Sequence, residues 1–269
     1  MRVSIVGAGT VGAATGMGLH KHGHEVLFYD VDRQRLDILA SQGYRVAGNL
    51  DSVRASDIHM ICVPAPANRL DSSPLESAIT GVAKALVEQD SFQVMVIRST
   101  VLPFTTTTRI IPLLQRHCPL KLGQDYGVCY NPEFLREAHA LQDFLSPPIT
   151  VIGEADKRSG DLLAELSAPF GAPQLRTTPE NAEAIKCFSN AFNALKISFF
   201  NELYLIAASC GLDHETISEA LPVSATAIRI PGYGIEGGYP FGGKCLPKDL
   251  AAVISFAEGQ GLNPVLFEA

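Results

Sequence analysis

The chain has 269 residues, 46% of them hydrophobic, enough apolar material for one large core or two modest ones. Its formal net charge of −7, with no lysine- and arginine-rich run, gives no footprint for nucleic acid or an anionic membrane. No apolar stretch reaches the roughly 18 residues a spanning helix needs, and Met1-Arg2 runs straight into a strand-like alternation, so no membrane partner is expected and the expected compartment is the cytoplasm.

Taken in chain order, β-branched runs predict strands at 3–6, 25–29, 59–63, 93–97, 127–130 and 150–152, with a further edge strand at 174–177. Helical patterns separate them. The expected fold class is therefore α/β, a Rossmann-like doubly wound parallel sheet over residues 1–178, covered on both faces. The predicted core includes Val3, Ile5, Val26, Leu27, Ile61, Val63, Val96, Ile97, Val128, Val151 and Ile152. Beyond Pro179 the pattern becomes one long helix, 180–210, without internal proline or glycine. Further helices at 214–220 and 250–260, with a glycine-rich loop at 231–243 before the second, complete a small all-helical domain over 179–269. At about 1.5 Å per residue the long helix outruns the needs of so small a domain, and a second chain is expected to pack on it as a homodimer.

Gly7-Ala8-Gly9-Thr10-Val11-Gly12 follows the first strand and opens a helix, the arrangement in which a pyrophosphate can approach a helix N-terminus. The second strand ends at Asp30, 18 residues past Gly12, where a carboxylate can accept from adenosine ribose hydroxyls. Asp30 would repel a 2′-phosphate and so favours NAD, while Arg33 and Arg35 keep NADP open. Six cysteines, Cys62, Cys118, Cys129, Cys187, Cys210 and Cys245, lack paired spacing, which suggests neither disulfides nor zinc; four or five are read as small core fillers. No metal site is expected, and His20, His22 and His24 around a glycine at a helix end are read as solvated.

Four more segments are hard to explain as packing: Ser99-Thr100-Val101, Asn131-Pro132-Glu133-Phe134-Leu135-Arg136-Glu137, Lys186 with Asn190, and Phe241-Gly242-Gly243-Lys244-Cys245-Leu246-Pro247-Lys248-Asp249. In this order they resemble the UDP-glucose/GDP-mannose dehydrogenase family over essentially the whole chain. The resemblance implies NAD-dependent oxidation of the C6 alcohol of a nucleotide sugar to a carboxylate in two steps. Cys245 would attack the intermediate aldehyde and carry a thioester that water cleaves, with Lys244 and Lys248 favouring the thiolate. Lys186 and Asn190, four apart on a helix, would both face one oxyanion. Glu133 would be the general base, with Thr100 and Asp249 positioning water. Glu137 would contact the nicotinamide ribose or the substrate. Further cofactor contacts are implied at Val63, Pro64, Ser99 and Lys248, and further substrate contacts at Phe134, Leu135, Arg136, Phe241 and Gly242. Arg229, 16 residues before Cys245, would reach a neighbouring subunit's substrate. Ala65 and Phe104 depart from the family pattern, which has threonine and glycine there. The family also carries a third domain that holds the nucleotide, whereas this chain ends at Ala269, so substrate identity stays open, a smaller polar alcohol included. Two other readings stay open: a two-electron hydroxyacid-type dehydrogenase with Cys245 idle, and a non-catalytic NAD-binding or assembly protein.

Overall fold

The computed structural model describes residues 1–65, 73–87, 91–235, 237, 240–242 and 245–268. They form two compact units, Met1–Ser189 and Asn190–Ala269.

The first unit holds eight strands: β1 (Arg2–Val6), β2 (Glu25–Tyr29), β3 (Arg45–Val46), β4 (Ile58–Ile61), β5 (Gln93–Ile97), β6 (Tyr126–Tyr130), β7 (Thr150–Glu154) and β8 (Gln174–Thr177). Between them lie α1 (Thr10–Lys21), α2 (Arg33–Ser41), α3 (Ser73–Val87), α4 (Ile111–His117), α5 (Ala140–Leu145) and α6 (Lys157–Ser167). One sheet runs in the order β3-β2-β1-β4-β5-β6-β7-β8. Strands β4, β5 and β6 are buried along their whole length, which is why they read as largely apolar runs, broken by His59 and Gln93. Two apolar clusters cover the faces, one including α3 and α4 residues such as Val82 and Leu114, the other α1 and α6 residues such as Leu19 and Leu163. Leu27 and Val63, expected in the core, are only partly buried. In β2, Val26 and Phe28 belong to one cluster while Leu27, on the opposite face, packs at the margin of the other; Val63 lies beyond the end of β4.

The expected doubly wound sheet is present, with one departure: β6 and β7 pair antiparallel. Their connection contains only the short α5, which packs on α1 instead of crossing over β6, so the chain is not returned to the starting edge. Strand β3 has two residues, too few to leave a pattern in sequence.

A polar layer runs through the apolar centre. The carboxamide of Gln93 donates to the carbonyls of Arg54 (2.7 Å) and Ser56 (2.8 Å), which leaves Oε1 to accept from His59 Nε2 at 3.4 Å. His59 Nδ1 then accepts from the Ser4 hydroxyl at 2.8 Å. His59 is fully buried, and burial pushes its imidazole down to about 4.

Phe104 is the sole non-glycine residue at positive φ (72°) among the described residues. Its carbonyl accepts from Thr108 N at 3.0 Å and Thr108 Oγ1 at 2.6 Å, fixing the start of a π-helical turn at Thr106–Ile110. An L-residue there costs about 1–2 kcal/mol, while glycine gives back part of that in unfolded-chain entropy. Since the ring is exposed, Phe104→Gly should gain about 0.5 kcal/mol in urea unfolding; a loss of stability rejects the strain argument.

Helix α7 (Pro179–Ser209) contributes to both units. Ala182, Glu183 and Lys186 are buried with the first unit. The second unit is helical over its described residues: 190–209 of α7, then α8 (His214–Ser224), α9 (Thr226–Arg229), α10 (Leu246–Gly259) and α11 (Val265–Glu268). Asp213 caps α8, its Oδ1 accepting from Glu215 N at 3.0 Å. Among the described residues no helix is long and apolar enough to cross a membrane.

Candidate active site

The turn after β1 is built without room for side chains. Gly7 has φ 98° and donates its N–H to Tyr29 O at 2.8 Å; a Cβ there would sit 2.8 Å from the Cys62 carbonyl carbon. A Cβ on Gly12 would collide with the Gly7 carbonyl oxygen. Gly9 is the N-cap of α1 and has no side chain to satisfy the first-turn amides, which are left to a ligand. Asp30 is 7% exposed; its Oδ2 accepts from Ala8 N at 2.6 Å and its Oδ1 from Asp32 N at 2.8 Å. The carboxylate is thereby fixed to the phosphate-binding turn. Arg35 pairs with Asp30 at 3.5 Å and with Asp32 at 3.3 Å, so its charge is shared between two acids.

These residues open onto a cleft of about 810 Å³. Gly7, Gly9, Thr10, Val11, Asp30 and Arg35 line one part of it; Val63, Pro64, Ser99, Thr100 and Glu133 are among the residues lining another. Gly12 shapes the turn from beneath. The groove, the uncapped amides and the fixed carboxylate fit a dinucleotide with a free ribose diol. Ser99 Oγ donates to Val63 O at 2.6 Å and braces the ends of β4 and β5 against each other.

Beyond β6 the chain turns through Asn131, Pro132 and Glu133. Glu133 Oε1 lies 2.8 Å from Lys186 Nζ, and Oε2 accepts from Leu135 N at 2.7 Å. Lys186 is 4% exposed, with its ammonium 5.6 Å from the centre of the Phe134 ring. Two residues assigned separately in sequence thus form one buried ion pair. Arg136 is exposed and chelated by Asp143, with Nη2 to Oδ1 at 2.7 Å. Glu137 is exposed at the start of a 3-10 turn, outside the described lining of the cleft. Arg98, which sequence reading passed over, is buried, lines the cleft and donates to Asn131 Oδ1. Its signal was a cation closing an otherwise apolar strand just before Ser99-Thr100.

In the second unit Cys245 is exposed at the N-cap of α10, beside the positive end of that helix's dipole. Lys248 and Asp249, one turn further on, pair with each other at 3.0 Å on the exposed side of the helix start. Lys244, expected in the same role, lies outside the described residues, as do Gly243, Glu236, Gly238 and Tyr239. Asn190, Phe241 and Gly242 are exposed, and Arg229 ends α9, also exposed. Among the described residues no group of three or more histidine, cysteine or acidic side chains is placed to hold a metal ion.

Residues 39–171 match the NAD binding domain, and residues 180–269 the central domain, of the UDP-glucose/GDP-mannose dehydrogenase family. The chain is 38% identical to the GDP-mannose 6-dehydrogenase of Pseudomonas aeruginosa, over 94% of this chain and 63% of that protein. It is 31% identical to UDP-glucose 6-dehydrogenase AglM of Haloferax volcanii, over 100% of this chain and 68% of that one. A crystal structure of a ternary complex of the Pseudomonas aeruginosa GDP-mannose dehydrogenase superposes with a TM-score of 0.91 at 34% identity, covering 99% of this chain and 66% of that chain. The chain thus spans less than two thirds of the length of the Pseudomonas aeruginosa protein.

Proposed function

Because the chain belongs to the UDP-glucose/GDP-mannose dehydrogenase family, we propose that it oxidises the C6 alcohol of a nucleotide-linked hexose to a carboxylate, with GDP-mannose as the first candidate substrate. The observation that carries the reading is the buried Glu133–Lys186 pair at the end of a dinucleotide cleft. The identity to GDP-mannose 6-dehydrogenase supports the choice of sugar.

The balance is R–CH2OH + 2 NAD⁺ + H2O → R–COO⁻ + 2 NADH + 3 H⁺. NAD, when bound, supplies the hydride acceptor for both oxidations. The protein's own groups do the rest. Lys186 keeps ammonium protons beyond the one on Glu133 and, with Asn190, donates to the oxyanion at C6. The Cys245 thiolate adds to the aldehyde to give a thiohemiacetal, and hydride loss leaves a thioester on sulfur. Glu133 takes a proton from the water that attacks this thioester, with Thr100 and Asp249 orienting that water. Phe134 and Leu135 shape the sugar end of the site, and Arg136, Glu137, Arg229, Phe241 and Gly242 contribute once substrate is bound. A second copy of the chain packs on the long helix, a reading supported by Phe192 and Leu195, which are 65% and 53% exposed there. Light scattering at about twice 28.8 kDa supports the dimer; the monomer mass at micromolar concentration rejects it.

The test is NADH stoichiometry with GDP-mannose and then UDP-glucose. Wild type should release two NADH per sugar acid. Cys245→Ala should form no acid and at most one NADH per aldehyde. One NADH per product from wild type supports the two-electron dehydrogenase, and NAD binding without turnover supports a non-catalytic role.

A further inference from the structure

We propose that Arg98 is a positioning residue for Glu133, holding that carboxylate ready for the water-consuming step; this rests on the reaction proposed above. Arg98 is 6% exposed and shares the cleft floor with Thr100 and Glu133. Its Nη1 donates to Asn131 Oδ1, and Asn131 Nδ2 donates to Val151 O at 2.7 Å. The Asn131 N–H goes to Ile97 O at 2.9 Å. One guanidinium, through one carboxamide, therefore fastens the ends of β5, β6 and β7 together, and the chain leaves that knot directly into Pro132 and Glu133. Where the knot sits decides where Glu133 points.

Holding strands together does not call for a charge. Among the described residues no carboxylate lies within 4.0 Å of Arg98, and its buried Nε has no hydrogen-bond partner. On one side it meets the Phe144 ring, 5.6 Å to the centroid. A buried cation without a counter-ion is costly, and an apolar side chain of similar volume would pack at lower cost. Glu133, two residues beyond Asn131, is a carboxylate of the same cleft lining. Glu133 thus has Lys186 in contact at 2.8 Å and Arg98 as a second cation lining its cleft. In hydrolysis the water oxygen bonds to the thioester carbon, one water proton passes to Glu133, and the carbon–sulfur bond breaks to return the Cys245 thiolate. A carboxylate that drifts slows this step most directly, because Glu133 itself takes the water proton.

The experiment compares Arg98→Gln and Arg98→Lys with wild type, using NAD and GDP-mannose. Arg98→Gln should accumulate an acyl adduct on Cys245, seen as a mass increase that hydroxylamine removes, and lower kcat at least about tenfold. NAD affinity should stay within about twofold. Arg98→Lys keeps the charge and should return kcat to within about fivefold of wild type without the adduct. Equal loss in both variants without adduct, or wild-type kcat in Arg98→Gln, overturns the proposal. Should Arg98→Gln fail to fold, Arg98→Lys decides alone, with kcat more than about fivefold down overturning it. If wild type makes no acid, the proposed reaction itself fails and this inference falls with it; if wild type makes acid, an unaffected Arg98→Gln sinks only the role of Arg98.

Discussion

Lys186→Met should lower the unfolding free energy by about 3–5 kcal/mol and slow turnover at least about 100-fold. The stability loss comes from what is left behind. The side chains of Lys186 and Glu133 are 6% and 12% exposed, and their 2.8 Å contact is the carboxylate's only ion pair among the described residues. With the ammonium gone, Glu133 keeps one backbone donor, Leu135 N–H, for a full buried charge. Replacing both members should behave differently: Glu133→Gln with Lys186→Met removes the stranded charge and should recover most of the stability while leaving catalysis lost. Urea unfolding of the two single variants and the double variant measures this as a coupling energy. A Lys186→Met loss under about 1 kcal/mol means that the pair contributes nothing in solution.

Acidification should remove about 3 kcal/mol through His59 alone. Its folded value is about 4 against 6.5 unfolded, and desolvation is the main cause, opposed weakly by the Gln93 hydrogen bond. The folded state therefore prefers the neutral ring. Above pH 6.5 both states are neutral and the contribution is fully present. As pH falls from 6.5 to 4 the unfolded chain takes up a proton that the folded protein refuses, so stability falls, levelling off below 4. Other groups overlap: burial lowers His24 and adds the same slope, while burial raises Glu183 and gives the opposite one. The depressed carboxylates, Asp143 at about 2 among them, act lower in pH. The clean readout is the difference between wild type and His59→Gln, which keeps a donor and an acceptor without titrating. That difference should slope between pH 6.5 and 4.5; a flat one means that His59 is not held neutral.

Sequence reading succeeded where a local requirement forces residue type. The Gly7–Gly12 turn cannot hold a Cβ at Gly12, and the carboxylate at Asp30 closes onto that same turn, so both left marks within thirty residues. The central strands were legible because helices on both faces demand apolar side chains throughout. Direction was not: whether β7 runs with or against β6 depends on the path of residues 131–149, which no residue pattern in either strand encodes. Polar residues within strands or directly at their ends were also missed. Arg98 and His59 look like interruptions of apolar runs until Asn131, Ser4 and Gln93 arrive from 33 to 55 residues away. Glu133 and Lys186 were both noticed, yet their pairing is a tertiary fact, since 53 positions separate them.

The Ser4–His59–Gln93 chain of hydrogen bonds also bears on how the sheet is assembled. Strands β1, β4 and β5 are rich in valine and isoleucine, and sliding one past its neighbour by two residues would still bury apolar groups against apolar groups at modest cost. Such a slip would bury an imidazole and a carboxamide with nothing to bond, at about 1–3 kcal/mol for each stranded group. Three side chains of middling strength thus act as the notch in a key: they add little to the strength of the correct alignment, and they make the wrong ones expensive during folding.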